Sequence, residues 1–150
     1  MKILFVCLGN ICRSPLAEGI FRDTIQQAGK SGGFSLDSAG TGAWHQGNPP
    51  DPRSVDIAAK YGIDISGQRA RQVQTTDFED FDLILAMDRS NLAALHAAAP
   101  ETARAQIRLF LETTAEDVPD PYYGGEEGFE TIYHMLRKGS EKLLADLLVA

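Results

Sequence analysis

Lys2-Ile3-Leu4-Phe5-Val6-Cys7-Leu8-Gly9-Asn10-Ile11-Cys12-Arg13-Ser14-Pro15 is the stretch whose reading decides the fold. The apolar run 2–7 has the length and composition of a buried strand. Gly9 and Asn10 then tolerate left-handed backbone better than other residues do, which suits a tight curl. Ser14 is a favoured helix cap, and Pro15 fits the first helical position because its missing donor would be unpaired there anyway. The reading is therefore a strand, a short loop and a helix over about 15–28. A loop at a helix N-terminus is an anion site, since unpaired N–H groups and the positive dipole end face the ligand.

Five residues separate Cys7 from Arg13, enough to wrap successive amides around one tetrahedral anion. Cys7 is expected beneath the phosphorus and Arg13 beside it, where a planar guanidinium holds two non-bridging oxygens and keeps its proton. The dipole, the inward amides, the guanidinium and the Ser14 hydroxyl all favour a thiolate, the nucleophilic form. Most cysteines in such chains only fill space. The full pattern Cys-x5-Arg-Ser, set between a strand and a helix, argues instead for phosphoryl transfer through a phosphocysteine.

Working outward, strands are expected at 2–7, 34–39, 82–87 and 106–111, and helices at 15–28, 52–61, 89–98 and 127–148. That alternation implies an α/β fold: one three-layer domain over residues 1–150, with a central four-stranded parallel sheet, helices on both faces and the phosphate-binding loop after strand 1. In the last helix Phe129, Ile132, Tyr133, Leu136, Leu143 and Leu147 form an apolar stripe assigned to the core. Loops 40–50 and 112–126 are long enough to border a pocket at the carboxyl ends of the strands, where Cys7 lies. The chain has 150 residues, 43% of them hydrophobic, and no linker or repeat. Its first apolar run is too short for a secretory signal or a bilayer span, and two cysteines make no disulfide framework, so the expected location is the cytoplasm. A net charge of −7 speaks against nucleic-acid and membrane partners, while a single pocket stays locally positive through Arg13 and the loop amides.

The segment Cys7-Leu8-Gly9-Asn10-Ile11-Cys12-Arg13-Ser14 resembles the signature loop of the low-molecular-weight protein tyrosine phosphatases. The resemblance continues through Asp37-Ser38-Ala39-Gly40, Trp44, Pro50-Asp51-Pro52-Arg53, Ala70-Arg71-Gln72, Ala86-Met87-Asp88 and Asp120-Pro121-Tyr122-Tyr123-Gly124. It implies metal-independent hydrolysis of phosphotyrosine proteins and small aryl phosphates, with no cofactor. It nominates Asp120 as general acid, and the chemistry independently asks for a carboxyl to protonate the leaving oxygen and then activate water. It also implies Trp44, Tyr122 and Tyr123 as pocket walls, Asn10, Ser14 and Ser38 as a supporting network, and Cys12 as a redox partner able to trap an oxidised Cys7. Packing is an equal reading for Cys12 and for the aromatics. Tyr122 and Tyr123 are candidates for modification by a tyrosine kinase. Gln68 stands where many members carry a histidine, and it can exchange hydrogen bonds there but not carry charge. Ile11 favours phosphotyrosine, since phosphoarginine-specific members tend to carry Thr at that position.

Three other classes fit the sequence less well. A thiol-based arsenate reductase shares the anion loop but needs cysteines downstream, and none follows Cys12. A phosphopeptide-binding module has no use for Cys7 or Asp120. A zinc site from Cys7, Cys12, His45, His96 and His134 matches no common ligand spacing.

Overall fold

The computed structural model describes residues 1–112, 116–122 and 125–149, without the side chain of Glu126. Four strands, β1 (Lys2–Cys7), β2 (Ser35–Gly40), β3 (Leu83–Ala86) and β4 (Gln106–Leu109), form one parallel sheet in the order β2-β1-β3-β4. Among the described residues, five α-helices connect or cover them: α1 (Arg13–Gln27), α2 (Pro52–Lys60), α3 (Asp77–Asp80), α4 (Arg89–Ala98) and α5 (Glu126–Val149).

Alternation along β1 builds the two faces. Ile3, Phe5 and Cys7 point into a large core shared with Leu16, Ile20 and Phe21 of α1 and Phe129, Ile132 and Leu136 of α5. Leu4 and Val6 point the other way, into a smaller core with Phe78, Phe81, Ile84 and Leu95 under α3 and α4. With both faces covered, β1 reads as a continuous apolar run, as central parallel strands do. Cys7 thus sits at the carboxyl end of a central strand, beside the point where the chain order of the sheet reverses. Open α/β sheets bind ligands there.

The element ends differ from expectation in instructive ways. Helix α1 begins at Arg13 rather than Pro15, and its N-cap Cys12 makes no side-chain capping bond. Ser14 does not cap, because its hydroxyl is engaged by Cys7 and Asn10. The third and fourth strands close at Ala86 and Leu109, short of 87 and 111. After β3 the chain turns at once into α4, whose N-cap Asp88 accepts the Asn91 amide at 2.7 Å. Helix α3, four residues long, was too short to leave a periodic signal.

Candidate active site

The loop between β1 and α1 is held from outside by its carbonyls. Thr41 N–H donates to Cys7 O (2.9 Å), Gly42 N–H to Leu8 O (2.9 Å) and Asp51 N–H to Ile11 O (2.8 Å). The Ser54 hydroxyl donates to Cys12 O at 3.2 Å. Because a trans peptide sets C=O and the following N–H on opposite sides, these anchors turn the amides of Leu8, Gly9, Cys12 and Arg13 inward. Among the described residues, no amide from Gly9 to Arg13 has a protein acceptor. That is the donor set of an anion nest.

Asn10 makes the curl, with φ of 57° in the left-handed region. Gly9 does not adopt positive φ. Its place is a close approach instead: a Cβ there would lie 3.0 Å from His45 Cδ2, so the imidazole would have to shift. Gly40, at the end of β2, is held by backbone: a Cβ would come within 2.8 Å of Leu8 O and 3.1 Å of Asn10 N, so the loop itself leaves no room for a side chain.

Behind the loop, Asn10 Nδ2 donates to Ser14 Oγ (2.8 Å) and Ser38 Oγ (3.0 Å), and its Oδ1 accepts the Arg71 amide (2.9 Å). Ser14 Oγ lies 3.0 Å from Cys7 Sγ. Gln68, the departure from the family pattern, accepts weakly from Ser38 Oγ at 3.4 Å and donates to the Pro15 carbonyl at 3.0 Å. It ties β2 to α1 without adding charge.

Arg13 is buried, and its Nη1 donates to Asp88 Oδ2 (2.6 Å) and the Val118 carbonyl (2.9 Å). Its Nη2 lies 3.6 Å from Asp120 Oδ2. Burial works against the guanidinium charge, but Cys7, Asp88 and Asp120 more than offset it, so its pKa is raised. Cys12 behaves in the opposite way to a reactive thiol. Burial, aided by Asp51, Cys7 and Asp120, pushes its pKa up to about 12. Cys12 therefore stays protonated at neutral pH, and iodoacetamide is expected to leave it unmodified in the folded protein. The same shift makes the fold bind the proton more tightly than the unfolded chain does, so Cys12 costs stability as pH rises from 9 towards about 12. Peptide mapping after alkylation at pH 7 checks this, and carboxamidomethyl on Cys12 of the native protein would contradict it.

A cavity of about 420 Å³ opens above the loop, lined by Cys7, Leu8, Gly9, Ile11, Cys12, Arg13, Trp44, His45, Asp120 and Tyr122. The structure brings Trp44 from loop 40–50 together with Asp120 and Tyr122 from the later loop; Tyr123 lies outside the described residues. Asn10, Ser14 and Ser38 stand behind the cavity rather than in it. Three features escaped the sequence reading: Asp88 against Arg13, His45 in the wall, and the Asp51–Arg53 pair beside the loop. Of these, Asp88 left a local trace as a cap residue directly after an apolar strand. His96 and His134 lie on α4 and α5, away from the cavity, and no group of three His, Cys, Asp or Glu among the described residues is arranged for a metal.

Fold and site together define a parallel α/β protein with a cysteine-bearing anion loop after its first strand. The model of the family described as low molecular weight phosphotyrosine protein phosphatase matches residues 2–149, and the chain belongs to that family. It is 45% identical to the low molecular weight phosphotyrosine protein phosphatase of Schizosaccharomyces pombe, covering 98% of this chain and 97% of that protein. It is 44% identical to the low molecular weight protein-tyrosine-phosphatase YfkJ of Bacillus subtilis, over 98% of this chain and 96% of that one. A crystal structure of the protein tyrosine phosphatase from Entamoeba histolytica, with Hepes in its active site, superposes with a TM-score of 0.92 at 40% identity, covering 98% and 96% of the two chains.

Proposed function

We propose that this chain hydrolyses phosphotyrosine in proteins, and small aryl phosphates, through a phosphocysteine at Cys7. The observation that carries the reading is the loop itself, with its carbonyls bonded outward and unpaired amides around a cysteine, beside a buried arginine. The phosphoryl group sits in the nest, its oxygens held by loop amides and by the part of the Arg13 guanidinium not engaged by Asp88 and Val118. Cys7 Sγ attacks phosphorus, the P–O bond to the aryl group breaks, and Asp120 gives its proton to the leaving oxygen. Asp120, now a carboxylate, takes a proton from the water that attacks the phosphocysteine. The S–P bond breaks, phosphate leaves, and Cys7 returns as thiolate with the Ser14 hydroxyl beside it at 3.0 Å. Positive charge at phosphorus comes from Arg13 and the amides, so the steps call on no metal. Trp44 and Tyr122 wall the aryl group, and Ile11 in the loop supports phosphotyrosine over phosphoarginine.

The test is hydrolysis of phosphotyrosine, phosphoserine and phosphoarginine peptides in excess EDTA, with rapid acid quench to trap the phosphoenzyme. Turnover confined to phosphotyrosine, with phosphate recovered on Cys7, is expected. Equal turnover of phosphoserine, or loss of activity in EDTA, would overturn the reading.

Three further parts of the reading have their own support. A cytoplasmic location agrees with two free thiols, and no helix among the described residues is long and apolar enough to cross a membrane; fractionation of the source cells tests it. Phosphorylation of Tyr122 or Tyr123 by a tyrosine kinase is supported by the exposure of Tyr122 at the rim, and unmodified tyrosines in protein isolated from its own cells would count against it. Cys12 as redox partner is supported by its place in the cavity wall beside Cys7, and its high pKa makes it a slow one. Thiol counting after mild peroxide tests that role, and loss of the Cys7 thiol alone would exclude it.

A further inference from the structure

The segment 116–122, which bears Asp120, contains neither helix nor strand, so its position over the cavity depends on individual contacts. Upstream of Asp120 the segment is held at Asp117, whose Oδ1 accepts from the Arg89 amide at 3.0 Å, and at Val118. Val118 is fully buried, its amide donates to Met87 O at 2.8 Å, and its carbonyl accepts from Arg13 at 2.9 Å. Downstream, Arg53 Nη2 donates to the Tyr122 carbonyl at 2.8 Å, and the guanidinium lies over the Tyr122 ring, 5.8 Å from its centroid. The Tyr122 amide in turn donates to Asp120 Oδ1 at 3.0 Å. The acid is therefore gripped by a residue that Arg53 holds.

Arg53 is itself fixed. Its Nε and Nη2 each meet an oxygen of Asp51 at 3.0 Å, and it lies over the Phe129 ring of α5, 4.7 Å from the centroid. Asp51 is the N-cap of α2, accepting the Arg53 amide at 2.9 Å, and its own amide holds the Ile11 carbonyl of the phosphate loop. One guanidinium thus links the loop under the phosphate to the segment above it. Arg53 is not among the residues that line the cavity.

We propose that Arg53 is a positioning residue for the general acid, clamping the Tyr122 carbonyl so that the Asp120 carboxyl stands over the leaving oxygen. This rests on Asp120 being that acid. A planar fork is required, because the same head group must satisfy both Asp51 oxygens and the Tyr122 carbonyl in fixed directions; lysine cannot do so.

The test compares kcat/KM for two substrates, phenyl phosphate, whose leaving oxygen needs a proton, and 2,4-dinitrophenyl phosphate, whose leaving oxygen hardly does. Arg53→Ala and Arg53→Lys are expected to lose about 10-fold to 100-fold on phenyl phosphate, the scale of a misplaced catalytic group, and less than about 3-fold on the dinitrophenyl ester. In an Asp120→Asn background, Arg53→Lys should bring no further leaving-group-dependent loss, since the proton it serves is gone. A merely structural role would lower both substrates equally and would multiply with Asp120→Asn. Equal losses, or multiplying ones, with Asp120→Asn itself showing a steep leaving-group dependence, would overturn this proposal alone. A flat response in Asp120→Asn would overturn the reading of Asp120 and this proposal with it. Arg53→Lys keeps the charge and most of the packing, so it answers the question even if Arg53→Ala folds poorly.

Discussion

Cys7→Ser is expected to lower kcat for p-nitrophenyl phosphate by ~10⁴-fold or more, the scale of removing a nucleophile from a working set, or about 5.5 kcal/mol of barrier. The reason lies in what surrounds Cys7. Its side-chain hydrogen-bond partner is the Ser14 hydroxyl, a neutral group that supports a thiolate but takes no proton from an alcohol. A serine hydroxyl there has no adjacent base to take its proton, and an alcohol is a far weaker acid than a thiol. Binding is a different matter, because the cradle is backbone. The loop carbonyls stay tied to Thr41, Gly42, Asp51 and Ser54, so the amides keep their direction. The variant should therefore still bind a phosphotyrosine peptide in calorimetry while failing to hydrolyse it. A variant keeping a tenth of wild-type turnover would refute the covalent route, and one that neither binds nor turns over would implicate the shape of the loop instead.

The legible part of this protein was the part whose physics is local. Strand, curl and helix around Cys7 follow one another within fifteen residues, so apolar length, Asn10 and the helix restart all lay in one window. Even there Ser14 carried two expectations, helix cap and hydroxyl beside the Cys7 sulfur, and its single Oγ serves the second while Cys12 takes the cap position. Asp120 and Trp44 came from family resemblance rather than from their own neighbourhood, since Asp-Pro and a lone loop Trp occur in many settings. What remained hidden was contact between distant segments. Asp88 reaches Arg13 across 75 residues and Arg53 reaches Tyr122 across 69, and no periodicity encodes such meetings. The sheet order decides them. With β3 beside β1, the residue that caps α4 falls next to the residue that opens α1.

That juxtaposition makes Arg13→Lys a severe change. Arginine has three jobs from a nearly sealed position in the proposed mechanism: Nη1 holds Asp88 at 2.6 Å and the Val118 carbonyl at 2.9 Å, which leaves the rest of the fork for the phosphoryl oxygens of a bound substrate. A lysine ammonium is one point charge. If it meets Asp88 it abandons the phosphoryl group, and if it meets the phosphoryl group it leaves Asp88 and Val118 without their donor. Either choice also loosens the upstream anchor of the segment that bears Asp120. Removing a single donor to developing charge costs about 10²-fold to 10³-fold in a water-excluded site, so kcat/KM for p-nitrophenyl phosphate is expected to fall by ~10³-fold in Arg13→Lys. Inhibition by inorganic phosphate should weaken in parallel, because product and substrate present the same oxygens. Steady-state kinetics with phosphate as inhibitor, alongside thermal denaturation to confirm folding, checks both. A variant that retained more than half of kcat/KM would mean that charge alone suffices, and that the pairing of Arg13 with Asp88 serves packing rather than aim.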